Sequence, residues 1–137
     1  MARHYSSSAH LRLVVVGAAT VLAASTAALA ADTAKEIATA AQHADLAATA
    51  ADIKMTKTHL HHTINCLVGP KGDFYFANEL NPCQDLGDGA IPETTDAAKK
   101  KSLEAALNKA KSGLAAHDPA VAKALASEAE ALIKSAM

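Results

Sequence analysis

The residues best suited to chemistry lie together between Met55 and Cys66, where thioether, imidazole and thiol groups follow at helical spacing. If this stretch is helical, Met55, His59, His62 and Cys66 are separated by four, three and four residues and line one face. Two histidines at positions i and i+3 can chelate a metal ion, and Met55 adds a third ligand one turn earlier. Imidazole with thioether favours copper in an exported protein. His43 lies four or more turns away on the same predicted helix, so we do not expect it to contribute.

Two other interpretations of these histidines stay open. In the structural interpretation, His62 packs near the end of a helix and bonds to carbonyl groups of the loop over residues 69–81, and no cofactor is needed. In the other, a histidine with Met55 or a second histidine holds a b-type haem beside Phe74 and Phe76. Covalent haem attachment is excluded because the chain lacks the Cys-x-x-Cys-His motif.

Cys66 and Cys83 are the only cysteines in the chain. An even number of cysteines in a small exported protein predicts a disulfide, which would stabilise the fold by about 3 kcal/mol through loop entropy. The bridge also removes the thiolate that could act with His62 as a nucleophile. Phosphate-binding loops and serine elbows are absent from the sequence, and we therefore predict that the protein is not an enzyme.

The first 30 residues have the features of a signal peptide. Arg3 and Arg12 provide a positive start, an apolar run follows over residues 13–29, and Ala28–Ala30 supplies a small-x-small cleavage site. An uncleaved membrane anchor is the alternative, but the run is poor in bulky residues. We expect cleavage after the small-x-small site, a periplasmic or secreted protein, and no transmembrane segment in the remaining chain.

The chain after residue 30 is mildly acidic. It has 11 lysines and no arginine against 14 acidic residues, which gives a net charge of −3 with neutral histidines. Its aromatic residues are confined to one short segment. This composition does not suit nucleic-acid binding, so the expected partner is a protein or a small ligand whose identity is unknown.

Helical patterns cover most of the chain after residue 30. Alanine dominates residues 32–66, glycine and proline are absent there, and small or apolar residues recur every three to four positions. This pattern predicts one long helix over residues 31–66, and its unusual length for so small a domain leaves a bend or a register break inside it open. The segment over residues 67–92 is rich in glycine and proline and forms the loop that the disulfide closes, with a short helix expected over residues 74–80.

The last third of the chain predicts a helical hairpin over residues 93–137. One helix starts at a cap within residues 94–96, and Asp118 with Pro119 starts the next. Four positions of the last helix are expected to face inward: Val121, Leu125, Ala129 and Leu132. The predicted fold is therefore all-α, a single domain over residues 31–137 built as an Ala-rich antiparallel bundle of three main helices with a disulfide-tied loop.

A local pattern over residues 59–92 resembles small exported bacterial helical proteins of unassigned function. The matching positions are His59, His62, Asn65, Cys66, Leu67, Gly69, Pro70, Gly72, Asn81, Pro82, Cys83, Gly87, Gly89, Ile91 and Pro92. The resemblance implies that histidines, cysteines and glycines belong to one local construction, and it implies no activity.

We therefore predict a binding function for the region over residues 55–92. The partner or ligand would contact the loop, and metal or haem binding by the Met55, His59 and His62 stripe is the alternative. The predicted loop residues of this site are Asn65, Gly69, Pro70, Phe74 and Phe76.

Overall fold

The computed structural model of the protein describes residues 31–137, and the predicted signal peptide lies outside the described residues. Helices make up about two thirds of this part of the chain, and residues 31–137 contain no strand. The helices are α1 Thr33–Thr49, α2 Ile53–Val68, α3 Ala90–Glu93, α4 Ala97–Ala115 and α5 Pro119–Lys134. The all-α class is therefore confirmed, whereas a fold of three main helices is not.

The segment predicted as one long helix over residues 31–66 is divided into α1 and α2, so that prediction is wrong. The break falls at residues 50–52 without glycine or proline. Asp52 explains it, because its side chain accepts a hydrogen bond from the N–H of Met55 at 2.8 Å and caps the start of α2. An aspartate in this role competes with continuation of the helix. After the break, α2 packs against α1.

The helices α4 and α5 start at the predicted caps. The side chain of Asp96 accepts hydrogen bonds from the first turn of α4, and that of Asp118 does the same for α5. The inward face of α5 differs from the prediction, because Val121 is 48% exposed. The buried row of α5 consists of Ala122, Ala126, Ala129 and Ile133. Small alanine side chains let neighbouring helices approach closely. The contacts between α5 and its neighbours are therefore made by alanines rather than by the largest side chains of α5.

The core connects the two halves of the chain. Leu60, Ile64 and Leu67 from α2 lie in one buried cluster with Leu103 from α4 and Ile133 from α5. Each such side chain contributes roughly 2 kcal/mol when fully buried, which makes this cluster the main anchor of α2. In the part of the chain described here, no helix combines the length and apolarity needed to cross a membrane.

The loop between α2 and α3 contains turns and not the short helix expected over residues 74–80, so that prediction is wrong. The Cys66–Cys83 disulfide is confirmed. Next to it, the fully buried Asn65 accepts a hydrogen bond from the Phe76 N–H at 2.8 Å and donates one to the Phe76 carbonyl at 3.1 Å. These side-chain hydrogen bonds pair the N–H and C=O groups of Phe76, which in a helix would bond to other backbone groups. The loop is therefore attached to α2 at two adjacent positions.

Candidate metal centre

Three histidine side chains meet where α1 and α2 face each other. His43 comes from α1, and His59 and His62 come from α2. The Nδ1 atoms of His43 and His59 are 3.2 Å apart, and one ring nitrogen from each of the three histidines lies within 4.8 Å of the others. Within residues 31–137, this histidine cluster is the one group of three His, Cys, Asp or Glu side chains that converges in this way.

His43 belongs to the site because α1 and α2 are separate helices. The expectation that His43 lies far from His59 assumed one straight helix, and the turn at residues 50–52 overturns it. The sequence contained one signal for this turn, Asp52, which is a good N-cap residue inside a run of alanines. The structure brings together the predicted His59 and His62, while Met55 is 42% exposed one turn before His59.

The spacing of the histidine nitrogens suits a metal ion. Nitrogen ligands lie about 2.0–2.1 Å from zinc, so two of them on a tetrahedral ion are about 3.3 Å apart. The 3.2 Å between the Nδ1 atoms of His43 and His59, which share a hydrogen bond in the metal-free protein, is close to this value. For His62, a side-chain movement on the order of 1 Å brings its nitrogen to the same spacing. Two ligand nitrogens, from His43 and His59, are therefore already at the spacing that a metal ion requires. The third, from His62, needs only a small side-chain movement.

The surroundings of two of the three histidines favour the neutral imidazole. Burial, with the neighbouring His62 and His59, lowers the pKa of His43 to about 4. Burial also lowers the pKa of His62, with a further contribution from His59 and an opposing one from Glu79. Neutral imidazole is the form that binds a metal ion. At neutral pH, His43 and His62 therefore need to lose no proton before they can act as ligands.

One nitrogen of His62 has no partner among the described residues. Its Nδ1 is buried without a hydrogen bond, a situation that costs about 1–3 kcal/mol. The other nitrogen, Nε2, lies 3.9 Å from Oε2 of Glu79 in the loop. A carboxylate was not foreseen at this position, because Glu79 carries no recognisable motif in the sequence. The loop thus places the carboxyl group of Glu79 beside Nε2 of His62. Nδ1, the other ring nitrogen, has no hydrogen-bond partner among the described residues.

The predicted loop residues mainly hold the loop in place. Gly69 ends α2 with a φ of 67°, and a Cβ atom there would lie 1.8 Å from the carbonyl oxygen of Asp88. Pro70 follows it at the surface. Phe76 stacks on His61 with ring centroids 4.3 Å apart. These contacts fit the implied single construction of loop and helix.

An apolar cavity of about 560 Å³ lies between the loop and α4. Phe74, Ile91 and Leu107 contribute its apolar lining, and Lys100 and Glu104 contribute charged groups. No histidine lines this cavity. A b-type haem needs an apolar pocket and an axial ligand in the same place, and here the pocket and the histidine cluster are apart.

Comparison of the chain with protein families, with curated proteins and with solved structures finds no match. The resemblance of residues 59–92 to small exported bacterial proteins stays a prediction. The histidine cluster and the cavity beside Phe74 are the two candidate ligand sites described above.

Proposed function

We propose that this protein is an exported, non-enzymatic binding protein for a transition-metal ion, which the histidine cluster holds between α1 and α2 of an antiparallel Ala-rich bundle. The observation that carries the proposal is the convergence of three ring nitrogens within 4.8 Å. Two further observations support it. The lowered pKa values of His43 and His62 favour the neutral ligand form, and the buried Nδ1 of His62 lacks a partner.

Copper is the metal that these donors favour. Imidazole binds copper, zinc and nickel, and copper leads the usual affinity order of the divalent ions. Met55 lies one turn before His59 on the same helix face and can add a thioether, which favours copper(I). In this proposal His43 replaces Met55 as the third ligand, and Met55 is an additional soft donor.

Calorimetric titration of the exported protein with copper(II) and zinc(II) tests the proposal. We expect one ion per chain with a Kd tighter than about 1 µM. His43→Ala and His59→Ala should each weaken binding by roughly 100-fold, about 2.7 kcal/mol, because each removes one of three ligands. His117→Ala, between α4 and α5, is the matched control and should bind as the wild type does. Millimolar binding by the wild type, or equal binding by His43→Ala, would reject the proposal.

A second candidate function is binding of an apolar ligand through the loop region over residues 55–92. The cavity beside Phe74 favours it, and so does Phe74 itself, which is 59% exposed and has a φ of 73°. The left-handed region costs a non-glycine residue roughly 1–2 kcal/mol, and the ammonium group of Lys111, 3.3 Å from the ring centroid of Phe74, offsets part of that cost. The exposed part of the ring lines the cavity and is available to a ligand.

Binding of an anionic naphthalene dye, followed by fluorescence, tests the second candidate. Phe74→Ala and Leu107→Ala should each weaken dye binding, since both side chains line the cavity. Val121→Ala removes a similarly exposed apolar side chain from α5 and serves as the control. Equal dye binding by all three variants would remove this candidate.

A further inference from the structure

The disulfide-closed loop fixes the position of Glu79 over α2. Asn65 of α2 binds Phe76 on one side of Glu79, and its Nδ2 also donates to the Leu80 carbonyl on the other side at 3.4 Å. The N–H of Glu79 donates to the Phe76 carbonyl at 3.2 Å. The disulfide lies next to Asn65 in sequence and ties the end of the same loop to α2. The backbone at Glu79 is therefore held between two anchored residues.

The carboxylate of Glu79 faces one nitrogen of His62, and the other nitrogen faces no described partner. Nε2 lies 3.9 Å from Oε2 of Glu79, a distance longer than a hydrogen bond at which the carboxyl group still acts electrostatically on the ring, and Nδ1 is buried without a hydrogen bond. A neutral imidazole carries one proton, which resides preferentially on the nitrogen that faces an acceptor. Glu79 therefore favours the tautomer with the proton on Nε2 and the lone pair on Nδ1.

The ring of His62 packs edge-on against the other two imidazoles, with its centroid 4.9 Å from that of His43 and 5.5 Å from that of His59. Metal-binding histidines usually donate their second N–H to a carboxylate, which orients the ring and raises its basicity as a ligand. We infer that Glu79 is a positioning residue of the metal centre, which places the proton of His62 on Nε2 and presents Nδ1 to the metal ion. The inference rests on the proposed metal-binding function and assigns the loop a part in controlling it.

The tautomer of His62 in the metal-free protein is the direct test. Nitrogen–proton correlation NMR at neutral pH reports which ring nitrogen carries the proton. We expect the Nε2–H form in the wild type and in Glu79→Gln, whose amide oxygen is still an acceptor. Glu79→Ala should move the population toward the Nδ1–H form. Glu128→Ala, which removes a surface partner of Lys109, should leave the tautomer unchanged.

Zinc affinity of the same variants links the tautomer to the metal centre. Glu79→Ala should weaken zinc binding by about 10–100-fold, and Glu79→Gln should restore most of the loss. Because the side chain of Glu79 is 33% exposed, both variants should fold, and circular dichroism checks this.

Three outcomes would count against these conclusions in different ways. A wild-type Nδ1–H form, or the same tautomer in Glu79→Ala as in the wild type, overturns the inference even where zinc binds. Wild-type zinc affinity in Glu79→Ala also overturns it. The expected tautomer change in a protein that binds no metal overturns the proposed function and, with it, the role of Glu79 in a metal centre.

Discussion

Two regions of α1 bury ionisable groups against neighbouring segments, and they neutralise these groups differently. Near the start of α1, Glu36 is fully buried, and burial together with the neighbouring Glu93 raises its pKa to about 7. Two turns later, burial and the neighbouring imidazoles lower the pKa of His43 to about 4. The carboxyl group becomes neutral by binding a proton, whereas the imidazole is neutral because it has lost one.

The two regions also differ in what their buried groups contact. Glu36 accepts a hydrogen bond from the Gly89 N–H at 3.0 Å, and Glu93 accepts from the Asp88 N–H, so the two carboxyl groups attach α1 to the loop and α3. Glu36 Oε2 and His62 Nδ1 both lack a hydrogen-bond partner. A proton on the carboxyl group removes the charge from Glu36 near neutral pH. The ring of His62 lies among other imidazoles, with its centroid 4.9 Å from that of His43 and 5.5 Å from that of His59.

Loss of the disulfide should have the largest effect and should reach both regions. The bridge joins residues 17 apart in sequence, and Cys66→Ser with Cys83→Ser should lower the free energy of unfolding by about 3 kcal/mol. Metal affinity should fall as well, because this loop carries Glu79, and the titration of Glu36 should change, because Cys83 lies against Glu36 and the Gly89 N–H bonds to its carboxyl group. Urea unfolding and zinc titration measure the two effects. Unchanged stability in the double variant would contradict the prediction.

Acid should destabilise the metal-free protein through the histidine region. The pKa of His43 is about 4 in the folded protein against 6.5 for an ordinary histidine. As pH falls below 6.5 the unfolded chain binds the proton first, so the free energy of unfolding decreases between about pH 6.5 and 4. Urea unfolding across this range should show a smaller slope in His43→Gln than in the wild type. An NMR titration midpoint of His43 near 6.5 would show that its imidazole is not shielded.

Glu36 should have the opposite effect on stability. Its pKa is about 7 in the folded protein against an ordinary value of 4.5, so the folded state binds the proton more tightly. Its contribution to stability is full below pH 4.5 and is lost as pH rises through 7. Glu36→Gln stays neutral and should remove this dependence, while Glu130→Gln, which changes the ion-pair partner of Lys134 in α5, should keep it. Parallel stability curves for Glu36→Gln and the wild type would refute a neutral Glu36.

The smallest expected effect concerns Met55, which lies beside the histidine region. Met55→Leu keeps the size of the side chain and removes the thioether. Copper(I) affinity, measured against a competing chelator, should fall by about 3–10-fold, up to about 1.4 kcal/mol, and zinc affinity should not change. If copper affinity falls as far as it does in His43→Ala, Met55 is a principal ligand, as the sequence pattern predicts.

The local features of this fold could be predicted because they depend on neighbouring residues. Asp96 and Asp118 cap their helices through side chains that reach only two or three residues ahead. The two cysteines allow a single pairing, which is the one observed. The all-α class follows from alanine, whose helix preference is strong throughout the chain. His59 and His62 share a helix, so their spacing alone placed them together.

Asp52 is the local signal that separates α1 from α2, but only tertiary structure decided that the two helices pack side by side and that His43 and Glu79 reach the histidine pair. An alanine-rich sequence is compatible with one long helix and also with two shorter ones, because small side chains pack in either arrangement. The choice depends on burying Leu60 and Ile64 against α4 and α5, which is a contact between distant parts of the chain. Glu79 likewise reaches His62 because the disulfide and Asn65 dock its loop on α2. Sequence spacing encodes neighbours along a helix, and these pairings arise only when separate segments pack together.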